Sequence, residues 1–556
     1  MADRWHELES SSPFREHRNL NLPSWNEFTQ LLNSNSTHKP NKITKQHVKL
    51  VEFVNIAALD ALCDDPDDDW TKYSPWLYDV SKYTDANNPV VATRKGKCDF
   101  SITHHRQLTD ATFTELLPPG IVPLGYCDIF HHIEAIKERL RVITNTFDAN
   151  QQWFDHLDLS DLTAVRYSVH EGEWTLCLDM ASWYSQFAYA EKVRNFMCYE
   201  HQGKMYRWVR MAMGHRPAGG IGNGALKRLM KRAEQYAHGI AFIDNAKFTG
   251  TQANVIKAGI AFLDDCAKCN ATVNELVDQD ISIAKWASLS LGEKTAIVTG
   301  LVKHKDTYLG LELDHVKKTS RISSKTVDKI STIWDLREHW TLHDFNAYVS
   351  LLCYGNYAAG ASLAEEYDVL AFNRMLARHG AFTIDRPLLK QFWGAKLPPL
   401  WLRALEGGLE KWKNRILDAG DAACPPPALQ LFDSVYFIDS CGIGAHILAA
   451  HREKDFELES LPRLRWETDI PYSTTSEPRG VSMLPLVAGA QQPKSVLIVN
   501  DHTPLVAAIN RMHGKSRNNN NMVLSLQRAS PTTTFKSMHL PGWVMPADPG
   551  SRGASL

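Results

Sequence analysis

The sequence predicts an α+β protein of several domains, on three observations. The chain has 556 residues, more than a single hydrophobic core organises, so two to four domains are expected. From Val91 to Asp314 short apolar strands alternate with helical stretches. Residues 325–420 are then predominantly helical, with apolar positions at three- and four-residue steps over Trp340–Ala359 and Leu400–Ala419. The segment Ala422–Pro427 holds three consecutive prolines and breaks helical structure, after which a strand-rich block begins. The expected division is a partly irregular region 1–90, an α+β block 91–324, a helical block 325–427 and an α/β block 428–556.

Apolar residues make up 44% and charged residues 22% of the chain, which excludes the disordered and collagen-like classes. No apolar run reaches the roughly 18 residues that a membrane-spanning helix needs, and the amino terminus lacks the pattern of a secretory signal. The expectation is an intracellular protein, in cytoplasm or nucleus, with no membrane partner. Ten scattered cysteines fit a reducing compartment and free thiols. The acidic run Asp64, Asp65, Asp67, Asp68 and Asp69 around Pro66 reads as a solvated loop without chemistry.

Two constellations of acids carry the chemistry. In the first, the strand-like run from Trp174 to Tyr189 places Asp179 where an apolar strand gives way to a turn, and the run Ile240–Phe248 places Asp244 and Asn245 at the tip of a hairpin. Two acids on adjacent strands can hold a pair of Mg²⁺ ions that bring a hydroxyl and a triphosphate together. In the second, Asp439 ends the first of two strands within Ser434–His451, Asp501 ends the strand Lys494–Asp501, Glu477 lies between them, and Asp548 follows near the chain's end. Four carboxylates of this kind can converge on two metals and activate water against a phosphodiester.

The first constellation resembles the palm of reverse transcriptases. Leu178–Tyr184 looks like the first palm motif, Phe196–Gly214 like the strand pair and glycine turn before the template helix, and Phe242–Asn245 stands where the family has aromatic-x-Asp-Asp. The acids lie 65 residues apart in the expected order. The resemblance implies a right-hand polymerase with fingers, palm and helical thumb or connection. It implies Asp179 and Asp244 as metal ligands beside Asn245, Tyr184 as the steric gate against a ribose 2′-hydroxyl, and Gly214 as a tight turn near template or nucleotide. Glu138–Thr146 resembles the fingers motif, making Arg141 the favoured triphosphate contact and Arg139 the alternative. Lys294 is expected near the nucleotide and Tyr308, Leu309 and Gly310 in a primer grip. Asn245 departs from the usual Asp, as in the Asp-Asn pair of some negative-strand viral polymerases, and Ala212-Met213-Gly214 departs from Pro-Phe-Gly.

Lys227, Arg228, Lys231 and Arg232 cluster on a predicted helix and offer a basic face to phosphates, which the net charge of −2 conceals. The second constellation resembles RNase H domains of retroelements at Asp439, Asp501 and the closing Pro-Gly…Ala-Asp…Ser-Arg pattern. Glu477 is the acid the family places on a helix, here followed by Pro478. Arg511, His513, Lys515 and Arg517 are expected to grip the hybrid backbone, or else to form an exposed loop running into the Asn518–Asn521 tract. The order of blocks is similar to polymerases of tyrosine-recombinase retrotransposons, the DIRS-like and VIPER-like elements. The resemblance implies RNA-directed DNA synthesis with RNase H cleavage, two Mg²⁺ or Mn²⁺ ions per site, and RNA template, DNA primer, RNA–DNA hybrid and deoxynucleoside triphosphates as partners; the alternative is a catalytically impaired, nucleic-acid-binding relic. Cys266 and Cys269 form one CxxC without a matching second pair and are read as helix-face thiols rather than zinc ligands. The adjacent pairs His104/His105 and His131/His132 would point to different faces and receive no role.

Overall fold

The computed structural model describes residues 43–134, 138–151, 157, 159, 162–359, 361–382, 392–424, 432–488 and 495–552. They fall into two compact units, one through Thr319 and one from Ser320. The proline tract proposed as a boundary lies mostly outside the described residues, as does the Ser/Asn-rich amino terminus.

In the first unit Asp64, Asp65 and Asp67 are exposed loop residues, as read, whereas Asp68 and Asp69 are structural, which corrects the reading at the end of the run. Asp68 caps helix α1 (Asp69–Tyr73) by accepting from the Thr71 N–H at 2.7 Å. Trp70 and Tyr73 of α1 are buried in the main core. A hairpin of β1 (Asp128–Glu134) and β2 (Arg139–Asn145) sets His132 opposite Arg141 and Glu134 opposite Arg139. The central sheet has the order β3-β5-β4, all antiparallel, from β3 (Trp174–Asp179), β4 (His238–Phe242) and β5 (Asn245–Gly250). Helix α2 (Ala218–Met230), preceding β4, and helix α3 (Gln252–Lys268), following β5, cover its apolar face. Val255, Ala258 and Phe262 recur on α3 at helical spacing and are fully buried. Gly224 is required on α2, because a Cβ there would lie 2.4 Å from the Trp70 backbone nitrogen.

Downstream, the short helix α4 (Asn274–Val277), helix α5 (Leu291–Leu301) and a hairpin of β6 (Lys305–Tyr308) and β7 (Leu311–Asp314) complete this unit. The hairpin turns through Leu309 and Gly310, both at positive φ (48° and 80°), the geometry of a two-residue I′ turn.

The second unit begins with helices α6 (Ser324–Asp335), α7 (Leu342–Ala358), α8 (Tyr367–Phe382) and α9 (Pro399–Asp418), as the periodicity predicts. Thr341 and Asp344 form a capping box at the start of α7. A five-stranded path then runs β10-β9-β8-β11-β12, from β8 (Ser434–Cys441), β9 (Gly444–His451), β10 (Leu458–Ser460), β11 (Ser495–Asn500) and β12 (Thr534–His539). The first three strands are antiparallel, whereas β8–β11 and β11–β12 are parallel. Parallel neighbours need crossovers, here α10 (Ser473–Ser482) before β11, then α11 (Thr503–Arg511) and α12 (Arg517–Ala529) before β12. The strands are buried on both faces: Val496 and Ile498 join one apolar cluster, and Val499 joins Leu448, Met545 and Ala547 in another. The fold is therefore mixed α+β with an RNase H-like strand order in its carboxyl-terminal part.

Candidate active sites

The first candidate site follows from strand register. Asp179, the last residue of β3, pairs with Asn245, the first of β5, so Asp179 and Asp244 meet at one end of the sheet. Ile243 and Asp244 make the β4–β5 turn, with Ile243 at φ +58°. A β-branched residue there is strained by about 1–3 kcal/mol. The turn is held by the Ile243 N–H donating to Asn223 Oδ1 at 3.1 Å and the Met180 N–H donating to the Asp244 carbonyl at 2.8 Å.

Each acid receives an asparagine amide. Asn245 Nδ2 donates to Asp244 Oδ1 at 2.8 Å, and Asn274 Nδ2 donates to Asp179 Oδ2 at 2.6 Å. Glu275 Oε2 accepts the Asp179 N–H at 3.0 Å. Burial, then the charge of Asp179, raises the Asp244 carboxyl above its ordinary range, while the Arg141 charge pulls the other way. Arg141 is thus electrically coupled to the acids from the β1–β2 hairpin. Tyr184 is half-buried, and its hydroxyl is pushed up to about 12 by burial and then by Asp244. A Cβ at Gly222 would come within 3.6 Å of the Tyr184 ring, so the ring packs beside α2, with its hydroxyl within the electrostatic reach of Asp244. Asn274 and Glu275 were missed by sequence reasoning; no motif marks them, and they reach Asp179 through a bridge between Met180 and Val273.

Other expected contacts are engaged elsewhere in this unit. Gly214 carries no positive φ; a Cβ there would lie 2.1 Å from the Thr144 carbonyl oxygen, and its own carbonyl accepts from Asn150 Nδ2 at 2.7 Å. Its glycine requirement is a close approach of two segments. Lys294 donates to Asp264 Oδ1 at 2.9 Å and lies over the Trp286 ring, which commits its ammonium to the fold rather than to a phosphate. Tyr308 is 2% exposed, with its hydroxyl donating to the Asn245 carbonyl at 2.9 Å; it braces the hairpin from within, leaving Leu309 and Gly310 at the turn. Behind it lies a buried network: Lys247 Nζ bonds Asp306 Oδ2 at 2.7 Å, and His315 Nε2 bonds Asp306 Oδ1 at 2.9 Å. Burial alone would raise Asp306, but Lys247 and His315 outweigh it and leave that carboxyl at about 2.

The basic cluster is largely consumed by acids. Arg228 is 6% exposed and pairs with Asp68 at 2.6 Å, Lys227 pairs with Asp69 at 2.7 Å, and Arg232 pairs with Asp265 at 2.9 Å. Lys231 alone of the four has an exposed side chain without such a pairing described here. Arg228 is thus committed to the fold, while Lys227, Lys231 and Arg232 keep exposed side chains at the end of this helix. Cys266 and Cys269 face the core, and all ten thiols are free. The adjacent histidines do diverge: His105 is buried against the Tyr199 hydroxyl, whereas His104 reaches the Thr44 carbonyl.

In the second unit Asp439, Glu477 and Asp501 converge, with one carboxylate oxygen from each within 4.8 Å of the others. Asp439 stands near the end of β8, Asp501 follows β11, and Glu477 projects from α10. Helix α10 tolerates Pro478 because the acceptor its missing N–H leaves open, the Thr474 carbonyl, receives Asn518 Nδ2 at 3.4 Å. The Ser440 N–H and Asn500 Nδ2 hold the two Glu477 oxygens at 3.2 and 3.0 Å, and Ser551 Oγ donates to Asp439 at 2.5 Å. Burial first, then the charges of Asp439 and Asp501, push the Glu477 carboxyl up to about 8; burial likewise raises Asp439, with Asp501 and Asp548 adding to it. Crowded carboxylates whose protonation is raised by one another fit a divalent cation, which would neutralise them. Asp548 begins the short helix α13 (Asp548–Ser551), pairs with Arg552 at 2.9 Å, and lies outside the group of three.

Of the expected hybrid-gripping residues, Arg511 and Lys515 are exposed, His513 bonds the Arg511 carbonyl, and Arg517 pairs with Asp368 at 2.8 Å. The asparagine tract lies on α12: Ser516 caps the helix, and Asn520 Nδ2 donates to the Ala364 carbonyl at 2.7 Å. His539 was also missed; its Nε2 sits 3.1 Å from the Asp501 carbonyl on an exposed rim.

No family model and no curated protein matches the chain. Among solved structures it is similar to a foamy viral protease-reverse transcriptase in complex with double-stranded DNA, at 11% identity over 94% of this chain and 98% of that chain, with a TM-score of 0.44. A complex of the foamy viral protease-reverse transcriptase with RNA/DNA hybrid is similar at 12% identity over 81% of this chain and 56% of that chain, also with a TM-score of 0.44. At such values function has to be argued from the sites themselves. No helix among the described residues is long and apolar enough to cross a membrane.

Proposed function

We propose that the chain is an RNA-directed DNA polymerase with RNase H activity, the replication enzyme of a retrotransposon. The observation that carries the reading is the register of Asp179 against Asn245, which sets Asp179 at the end of β3 beside Asp244 in the β4–β5 turn. The convergence of Asp439, Glu477 and Asp501 in the other unit supports the nuclease half. Asp179 and Asp244 would hold the cations of synthesis, and Asp439, Glu477 and Asp501, joined by Asp548, those of cleavage. Bound Mg²⁺ or Mn²⁺ supplies Lewis-acid stabilisation of the phosphoryl oxygens. The chain's own contributions are orientation and exclusion. Asn274 and Asn245 fix the rotamers of the two acids, Arg141 offers positive charge to a deoxynucleoside triphosphate, and the Tyr184 ring fills the space a 2′-hydroxyl would need. Template RNA, primer and hybrid are the macromolecular partners.

The chemistry separates by unit, and that is the test. Asp179→Asn should abolish primer extension on an RNA template while leaving cleavage of a labelled RNA–DNA hybrid within about two-fold of the parent; Asp439→Asn should do the reverse. Loss of neither activity in its own variant would refute the assignment. Asn245, where a carboxylate is expected, favours a second reading, an impaired nucleic-acid-binding relic; a parent inert in primer extension under both Mg²⁺ and Mn²⁺ would select it.

A further inference from the structure

Trp543 is the most exposed large apolar residue described, at 88%, although burying a tryptophan removes about 200 Å² from water. A loose loop does not explain this. Leu540 packs on the cluster that contains Met545 and Ala547, and the Leu540 N–H donates to the Asn500 carbonyl at 3.1 Å. The Val544 N–H closes back on the Pro541 carbonyl at 2.9 Å and the Met545 N–H on Gly542 at 3.1 Å. Both flanks are anchored, and Trp543 with the neighbouring Val544 is turned outward.

The loop also has a defined place. Gly542 lies directly on the second acid set, since a Cβ there would sit 2.8 Å from Asp501 Oδ2. Adjacent Cα atoms are about 3.8 Å apart, so the indole starts within one nucleotide's length of the carboxylates. A strand whose phosphodiester reaches those acids passes close to the Trp543 backbone, which puts its neighbouring sugars within an indole's reach. A-form duplexes present a wide, shallow minor groove lined by 2′-hydroxyls, and indole offers a flat apolar face with one N–H donor at its edge.

We propose that Trp543 is a binding residue for the RNA strand of an RNA–DNA hybrid, lying against the sugars next to the phosphodiester that the acids address. The inference rests on the nuclease reading of Asp439, Glu477 and Asp501, and it adds a contact that positions the strand. An exposed ring leaves the fold intact when it is removed, so Trp543→Ala should melt with the parent.

The test uses the full chain in two ways. In cleavage of a uniform hybrid, Trp543→Ala should raise KM on the order of ten-fold, or about 1.4 kcal/mol, with kcat within two-fold, and Trp543→Phe should recover most of the loss, because phenylalanine keeps a flat apolar face against the sugars. In Ca²⁺, a hybrid carrying a diazirine on a 2′-oxygen of its RNA strand should photocrosslink to the tryptic peptide Ser537–Arg552, and the crosslink should fall sharply in Trp543→Ala. Cleavage with an unchanged KM and no crosslink to that peptide overturns the inference while leaving the nuclease standing. Crosslinking without cleavage by the parent retains the surface and refutes the nuclease. An unchanged KM with an altered sedimentation coefficient would make Trp543 a protein-docking residue and overturn the proposal.

Discussion

Replacing Asn245 by Asp tests the first site at its point of departure. In the structure Asn245 donates to Asp244 at 2.8 Å and pairs in register with Asp179. Cross-strand partners stand about 5 Å apart at Cβ, so Asn245→Asp removes a hydrogen bond worth about 1.5–3 kcal/mol and sets a third charge beside two others. At an effective dielectric constant of about 20, one such pair repels by about 3 kcal/mol. The site is half-exposed, and solvent screening brings the net penalty without metal to about 2–3 kcal/mol. Melting in EDTA should therefore fall by about 4–12 °C for a unit of this size. The same repulsion is relieved by cations, so the Mg²⁺ concentration for half-maximal primer extension should drop on the order of ten- to a hundred-fold, since 1.4 kcal/mol is one decade. Mn²⁺ should help the parent more than the variant, because it binds such ligands more tightly. A variant that melts like the parent in EDTA and needs as much Mg²⁺ would refute the geometry argued for this turn.

Three further outcomes are expected. Glu477 has its proton affinity raised to about 8; metal must displace that proton, so the Mg²⁺ midpoint for hybrid cleavage should fall about ten-fold per pH unit from 6 to 8 and flatten above, and a pH-independent midpoint would show that Glu477 is not a ligand. In metal-free protein the sign is that of a raised carboxyl: its contribution to stability is full below the unfolded value near 4.5 and is lost as pH rises through about 8. Tyr184→Ala should admit ribonucleotides while keeping deoxynucleotide incorporation, as scored by alkali-labile primer extension products; retained discrimination would make Tyr184 a packing residue. Asp306→Asn leaves Lys247, which is fully buried, without its counter-charge, and should destabilise the first unit by about 3–5 kcal/mol in denaturant unfolding; a loss under 1 kcal/mol would mean that Lys247 sheds its proton instead.

What the sequence made legible tracks how local each signal is. Asp179 and Asp244 stand at the ends of short apolar runs, and the runs became neighbouring strands. The helices over 340–359 and 400–419 follow from three- and four-residue spacing that no distant contact overrides. Charge clusters were the least legible, because their partners are remote: Arg228 looked like a free cation, yet its acid, Asp68, is 160 residues away in sequence. Pro478 argued against a helix at Glu477, and the residue that relieves it, Asn518, lies on another helix. Asn274 and Glu275 left no trace, since their role exists only where the Val273 backbone meets Met180.

The ways in which acids are held bear on enzyme versus relic. Several carboxylates that serve the fold are met by a cation: Asp68 has Arg228, Asp265 has Arg232, and Asp306 has Lys247. At the two candidate sites four acids are oriented by a donor that leaves the charge in place, Asn274 on Asp179, Asn245 on Asp244, Asn500 on Glu477 and Ser551 on Asp439, whereas Asp548 is paired with Arg552. Such donors fix geometry without neutralising, and the residual repulsion appears as raised protonation of Asp244, Asp439 and Glu477. Burying like charges side by side opposes folding. A scaffold freed from catalysis gains stability by exchanging any one of them for a neutral residue. Asn245 is such an exchange at one position, but Asp179 and Asp244 in one unit and Asp439, Glu477 and Asp501 in the other remain close together. Oriented, unneutralised acids are what cation-dependent phosphoryl chemistry requires, and their retention in both units favours the proposed enzyme over the relic.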